Sequence, residues 1–131
     1  MSENETIAIL GGTGDLGTGL AIRWSRVGHR IIIGSRTLEK AQDAVARLKI
    51  VSPETPADAM ENTDAAKAGN IVVLTVPAAH QISTLETVKE GLSGKILIDV
   101  TVPLIPPKVG TVQLPECGSA GKRAQDFLGD D

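Results

Sequence analysis

An apolar run, Thr6-Ile7-Ala8-Ile9-Leu10, passes without interruption into Gly11-Gly12-Thr13-Gly14-Asp15-Leu16-Gly17. Glycines 12, 14 and 17 make a G-x-G-x-x-G pattern, placed where a buried strand gives way to a helix. This constrains the chain more than any other feature, because such a turn belongs to a β-α-β unit. On this reading Gly12 lets the chain leave the strand in a tight turn. Gly14 leaves room for a pyrophosphate, and Gly17 lets the first helix pack close. The free N–H groups of the helix start then favour an anion. Asp15 sits awkwardly beside a phosphate and is expected to point outward or to cap the helix.

The second apolar run, Ile31-Ile32-Ile33, ends in Gly34-Ser35-Arg36. A dinucleotide site for NAD carries an acid there, which bonds the ribose 2′-hydroxyl and repels a 2′-phosphate. Here a hydroxyl and a guanidinium take its place. Lys40 follows four residues later, one helical turn on, and Thr37 is placed to cap that helix. The pattern points to NADP(H).

The rest of the chain alternates strands and helices. Strands are expected at Thr6–Leu10, Arg30–Gly34, Ile71–Val76 and Ile96–Val100, with Ile50-Val51-Ser52 a very short third strand. Helices are expected at Leu16–Val27, with Leu16, Leu20, Trp24 and Val27 on one face, and at Leu38–Lys49, burying Ala41, Ala44, Val45 and Leu48. Pro56 opens another helix carrying Ala59, Met60, Ala65 and Ala66, which Asn62–Asp64 interrupts. Ala78–Leu92 and Ala120–Leu128 complete the helices. Residues 101–115 hold four prolines and read as loop or extended edge. The fold class that follows is α/β: one Rossmann-type, doubly wound parallel sheet of five strands, order 3-2-1-4-5, occupying residues 1–131 as a single NADP(H)-binding domain.

Composition removes several function classes. Trp24 and Phe127 are the only aromatics, the net charge is −3 and no basic run occurs, so no nucleic-acid partner is expected. Cys117 is the single cysteine and reads as a bland thiol, and His29 and His80 are too scattered for a metal cluster, so no metal is expected. The polar N-terminus, Met1 to Thr6, reads as neither signal peptide nor membrane span, which leaves no membrane partner and the cytoplasm as default location. Thr75, Val76, Pro77 and His80 follow the fourth strand and are placed to line a nicotinamide and its ribose. His80 is read as a helix-start residue that touches the cofactor rather than as a general acid, and Asp99 as a solvated or capping carboxylate. No catalytic residue is assigned.

Taken together, Gly11–Gly17, Gly28-His29, Gly34-Ser35-Arg36 with Lys40, and Leu74-Thr75-Val76-Pro77 with His80 resemble the NADPH-dependent reductases of the deazaflavin coenzyme F-420. The resemblance runs through nearly the whole chain, Asp99–Pro107 included. It implies an oxidoreductase moving a hydride between NADPH and coenzyme F-420 as second substrate. By motif match, Thr13, Ser35, Arg36 and Lys40 hold the 2′-phosphate, and Gly14, Asp15 and Leu16 lie under the pyrophosphate. Thr75, Val76, Pro77 and His80 border the ribose and nicotinamide, and Val102, Pro103 and Leu104 lie near the deazaflavin. Members of that family run longer, so the C-terminal part of the family's chain is expected to be absent and the sheet to stop before a sixth strand. The edge beside the fifth strand is then uncovered, which favours self-association, a homodimer being one form of it, or marginal stability. Two other functions stay open: a non-catalytic NADP(H)-binding module, and another NADP-dependent reductase with a related N-terminal domain.

Overall fold

The β-branched runs of the sequence form the middle of the sheet, where both faces are covered. In the computed structural model, which describes residues 4–131, β1 (Thr6–Leu10), β2 (Arg30–Ser35), β3 (Ala57–Glu61), β4 (Ile71–Leu74) and β5 (Ile96–Asp99) build one five-stranded sheet. Every pairing is parallel and the order is β3-β2-β1-β4-β5, as the alternation of elements predicts. Met1, Ser2 and Glu3, the start of the polar N-terminal stretch, lie outside the described residues. No helix among the described residues is long and apolar enough to cross a membrane.

Alternate residues of the strands feed two cores. Ile7, Ile9, Ile31, Ile33 and Val73 face one side, against Ala44, Val45 and Leu48 of α2 (Leu38–Val51) and Ala21 of α1 (Asp15–Arg26). Ala8, Leu10, Ile32, Val72 and Leu74 face the other, against α3 (Asn62–Ala68), α4 (Gln81–Leu92) and Ala124 of α5 (Ala120–Leu128). Burying a Val, Leu or Ile side chain contributes about 1.5–3 kcal/mol, so these central strands carry most of the fold's stability.

Local chemistry explains the helix ends. Thr37 caps α2, its hydroxyl accepting the Lys40 amide at 3.4 Å, and Ser119 caps α5 in the same way at 3.0 Å. At the far end of α3 the Lys95 ammonium donates to the carbonyls of Ala66 and Lys67, both at 2.6 Å. A cation on the last carbonyls of a helix opposes its dipole favourably. Partial burial there pushes the Lys95 pKa below its ordinary value.

Several expectations are corrected. Ile50 and Val51 do not start a strand. They extend α2 by its last residues and stand 80% and 72% exposed. The third strand lies instead at Ala57–Glu61, inside the stretch expected to be helical from Pro56, and only Asn62–Ala68 forms a helix. The free edge of β2 outweighs local propensity here: its backbone groups pair with β3 from Ile31↔Ala57 to Ser35↔Glu61. The face of α1 is also shifted. Leu16 and Val27 are 54% and 68% exposed, and the helix packs through Gly17, Leu20, Ala21 and Trp24. A Cβ on Gly17 would lie 2.6 Å from the Gly12 Cα, so the contact is made by the smallest residues rather than the most apolar. Finally, β4 and β5 end two residues and one residue earlier than expected. The expected helix at Ala78 begins as a 3₁₀ turn, Ala78–His80, before α4 starts at Gln81.

Candidate functional site

Parallel strands deliver their carboxyl ends to one edge of the sheet, and ligands of such folds bind where the strand order reverses. Here the reversal falls between β1 and β4. Above it lies a cleft of about 270 Å³ lined by Gly11, Thr13, Ser35, Arg36, Lys40, Asn62, Val76, Pro77, His80, Ser83 and Thr84.

The floor is the turn after β1. Gly11 sits at φ 69°, the left-handed region, and a Cβ there would meet Val76 Cγ1 at 2.6 Å. The tight turn expected at Gly12 is thus made one residue earlier. Gly12 is buried, and a Cβ on it would sit 2.9 Å from the Ile9 carbonyl oxygen. Gly14 differs from both, because its Cβ position faces open space with nothing within 4 Å. It is the N-cap of α1, and no side chain among the described residues caps that helix end. The start of α1 therefore leaves its first amides without a side-chain acceptor, beside an open backbone. Asp15 and Leu16 stand exposed on the first turn, outside the cleft lining.

One end of the cleft is cationic. Ser35 ends β2 and is buried, Arg36 and Lys40 are exposed, and all three line the cleft with Thr13. Arg47, two turns past Lys40 on α2, reaches the Thr13 carbonyl at 3.5 Å. Among the described residues no carboxylate lines this cleft, and Glu61 lies in an adjoining hollow with Ser35 and Arg36. The other end is the turn after β4. Thr75 closes it from below, with its amide and its hydroxyl both donating to the Leu10 carbonyl, at 3.0 and 2.9 Å. Val76, Pro77 and His80 form the wall.

A buried polar network holds that wall. Gln81 is fully buried, and its amide nitrogen donates to the Asp99 carboxylate at 2.5 Å and the Ala120 carbonyl at 2.8 Å. Its amide oxygen accepts from the Arg123 guanidinium at 2.6 Å, and Arg123 also donates to the Ala78 carbonyl at 3.2 Å. Asp99, in turn, accepts the Thr101 amide at 2.9 Å. Asp99 is therefore a structural acceptor rather than a helix cap, and α5 is tied through Gln81 to the turn that carries His80.

Of the residues expected at the site, Thr13, Ser35, Arg36, Lys40, Val76, Pro77 and His80 come together in one cleft, while Gly12, Gly14, Gly17 and Thr75 lie in the turns and helix start near it without joining its lining. Val102, Pro103 and Leu104 do not join the lining, and Val102 and Leu104 are exposed. The sequence reading missed Asn62, Ser83 and Thr84. Asn62 was hidden by the misplaced third strand, and Ser83 and Thr84 by an expectation that stopped at His80. Cys117 lies away from the cleft, its thiol 3.6 Å from the Ser119 carbonyl. The described residues hold no group of three or more metal-ligating side chains.

The chain matches the family model described as NADP oxidoreductase coenzyme F420-dependent over residues 6–103. It is 42% identical over 129 residues to the F420-dependent NADP reductase of Methanocaldococcus jannaschii, covering 93% of this chain and 57% of that protein. It is equally 42% identical to the F420-dependent NADP reductase of Methanothermobacter marburgensis, covering 95% of this chain and 58% of that one. The chain thus spans little more than half the length of these relatives. Among solved structures it superposes on a candidate F420-dependent NADP-reductase from Arthrobacter sp. FB24 with a TM-score of 0.79, at 28% identity over 95% of this chain and 58% of that one. A pyrroline-5-carboxylate reductase from Coxiella burnetii, 18% identical with a TM-score of 0.63, shares the fold. Through the family match, which runs from β1 to the loop beyond β5, the chain belongs to the F420-dependent NADP oxidoreductase family.

Proposed function

We propose that this chain binds NADP(H) in the cleft above β1 and β4 and takes part in hydride transfer between NADPH and the deazaflavin coenzyme F-420. The observation that carries the reading is the gathering of Thr13, Ser35, Arg36 and Lys40 at one end of a cleft that has no carboxylate in its lining among the described residues. Hydroxyls and cations without an acid suit a 2′-phosphate, and a guanidinium binds it through charge-assisted hydrogen bonds. The open Cβ position of Gly14 and the uncapped start of α1 suit a pyrophosphate. The residues present therefore fit the group.

NADPH held in this cleft would supply hydride chemistry, with coenzyme F-420 as the acceptor substrate. The protein's work is placement. Arg36 and Lys40 anchor the phosphorylated ribose, and the amides at the start of α1 hold the pyrophosphate. Val76 and Pro77 give a flat apolar wall that limits water at the reacting end, and His80 offers a hydrogen bond at its rim. Reduction of the deazaflavin by a hydride also takes up one proton, which solvent would supply in this reading.

A second reading, a non-catalytic NADP(H)-binding module, draws on the exposure of Val102 and Leu104, two of the residues expected beside the deazaflavin. Both readings keep the small-molecule cofactor. A homodimer and a cytoplasmic location belong to the proposal as well. Fluorescence titration of the chain with NADPH and, separately, with NADH tests the site. Saturable binding of NADPH in preference to NADH is the expected result, and equal or absent binding removes the proposal. Oxidation of NADPH dependent on added deazaflavin then separates the enzyme from the module.

A further inference from the structure

Asn62 is the one cleft residue whose placement local structure does not explain. It is the first residue of α3, where Glu61 takes the capping position, so it does no capping although asparagine favours that role. Its side chain turns inward, and the residue is 8% exposed. Room for it comes from Gly34: a Cβ on that residue would lie 2.8 Å from the Asn62 Oδ1. Oδ1 accepts the Gly11 amide at 3.4 Å, a long bond. That bond fixes which end of the amide faces the turn. The two N–H donors on Nδ2 have no partner among the described residues. Among the described residues no polar side-chain atom is buried unpaired, so Nδ2 keeps contact with solvent, and Asn62 lines the two hollows it shares with Ser35 and Arg36. A solvent-facing donor at the wall of a cleft lined by cations and hydroxyls can exchange its water for a ligand oxygen.

We propose that Asn62 is a cofactor-contacting specificity residue: Oδ1 anchors the Gly11 turn, and Nδ2 donates to the phosphorylated ribose of NADP(H) beside Ser35 and Arg36. This rests on the NADP(H) reading above. The two halves of the amide then do separable work. The anchor serves any dinucleotide, because Gly11 lies under the shared phosphate path. The donor serves the 2′-phosphorylated one alone.

Dissociation constants for NADPH and NADH, measured on the unaltered chain, Asn62→Ala, Asn62→Leu and Asn62→Asp, test this. Asn62→Ala removes anchor and donor without adding charge, so any selective loss cannot arise by neutralising Arg36. The expected result is a loss for both cofactors with NADPH losing about tenfold more, the scale of a hydrogen bond to a charged group. Asn62→Asp keeps the shape and the acceptor and removes the donor, but its carboxylate repels a 2′-phosphate by itself, so only an unchanged NADPH affinity in it bears on the proposal. Asn62→Leu, uncharged and of similar volume, should show the same selective loss of NADPH and carries the test if Asn62→Ala fails to fold. Equal losses for the two cofactors in Asn62→Ala or Asn62→Leu, or unchanged NADPH affinity in Asn62→Asp, overturn the proposal. An unaltered chain with no NADPH preference overturns the NADP(H) reading instead.

Discussion

In the proposed NADP(H) reading, Arg36 is the residue that chooses between the two cofactors. It is exposed, follows the buried Ser35 at the end of β2 and shares the cleft with Lys40 and Thr13. Replacing Arg36 with Ala is expected to weaken NADPH by about 1.5–3 kcal/mol, the range for a hydrogen bond to a charged partner, and to leave NADH nearly unchanged. Isothermal titration of both cofactors reads this directly, and a matching loss for NADH would refute the role. Ser35, Arg36 and Lys40 were legible in the sequence because a strand, a turn and one helical turn fix their relative places. Asn62 was not, since its place depends on Gly34 leaving space across the sheet, a contact between residues 28 apart that no local pattern records.

Elements were legible where their periodicity was strong. β1 and α5 fall within the bounds read from the sequence, and α2 buries Ala41, Ala44, Val45 and Leu48 as expected. β3 was not, because Ala57-Asp58-Ala59-Met60-Glu61 has a helix former's composition. Its strand is imposed by β2 and by packing: Ala57 and Ala59 face the α2 side, Met60 faces the other. The Arg30–Asp58 ion pair at 2.7 Å marks this edge, but with both side chains half exposed or more it adds little. A different element pair carries a sharper expectation. α5 meets α4 and β5 through buried Gln81, which satisfies Asp99, Ala120 and Arg123 at once. Gln81→Leu keeps the volume and strands those partners, so it should destabilise the chain by about 1–3 kcal/mol. Urea denaturation would show a lower midpoint at unchanged slope. An unchanged midpoint would mean that solvent satisfies Asp99 and Arg123 as well as Gln81 does.

The molecule as a whole treats its two sheet edges differently. β3 ends the sheet with small and charged residues, which discourage further pairing. β5 ends it with Ile96 63% and Ile98 40% exposed, and no strand among the described residues pairs with its outer side. Ile96 and Ile98 stand opposite Ile71 and Val73 in the register, on the face that α1 and α2 cover elsewhere. Val102, Leu104 and Ile105 continue the apolar surface into the following loop. An unpaired strand edge joined to uncovered apolar surface favours association over exposure to water. The chain should therefore self-associate as its concentration rises, and sedimentation equilibrium over a hundredfold range would register the shift in mass. Ile98→Lys places a charge on that face and should return the chain to a monomer. The cleft proposed for NADP(H) lies at the carboxyl ends of β1, β2 and β4 rather than along β5, so NADPH affinity should survive the same substitution. A chain that stays monomeric at every concentration would show that the 101–115 loop shields this face in solution. Loss of NADPH binding in Ile98→Lys would instead mean that the β5 face and the cleft are one functional surface.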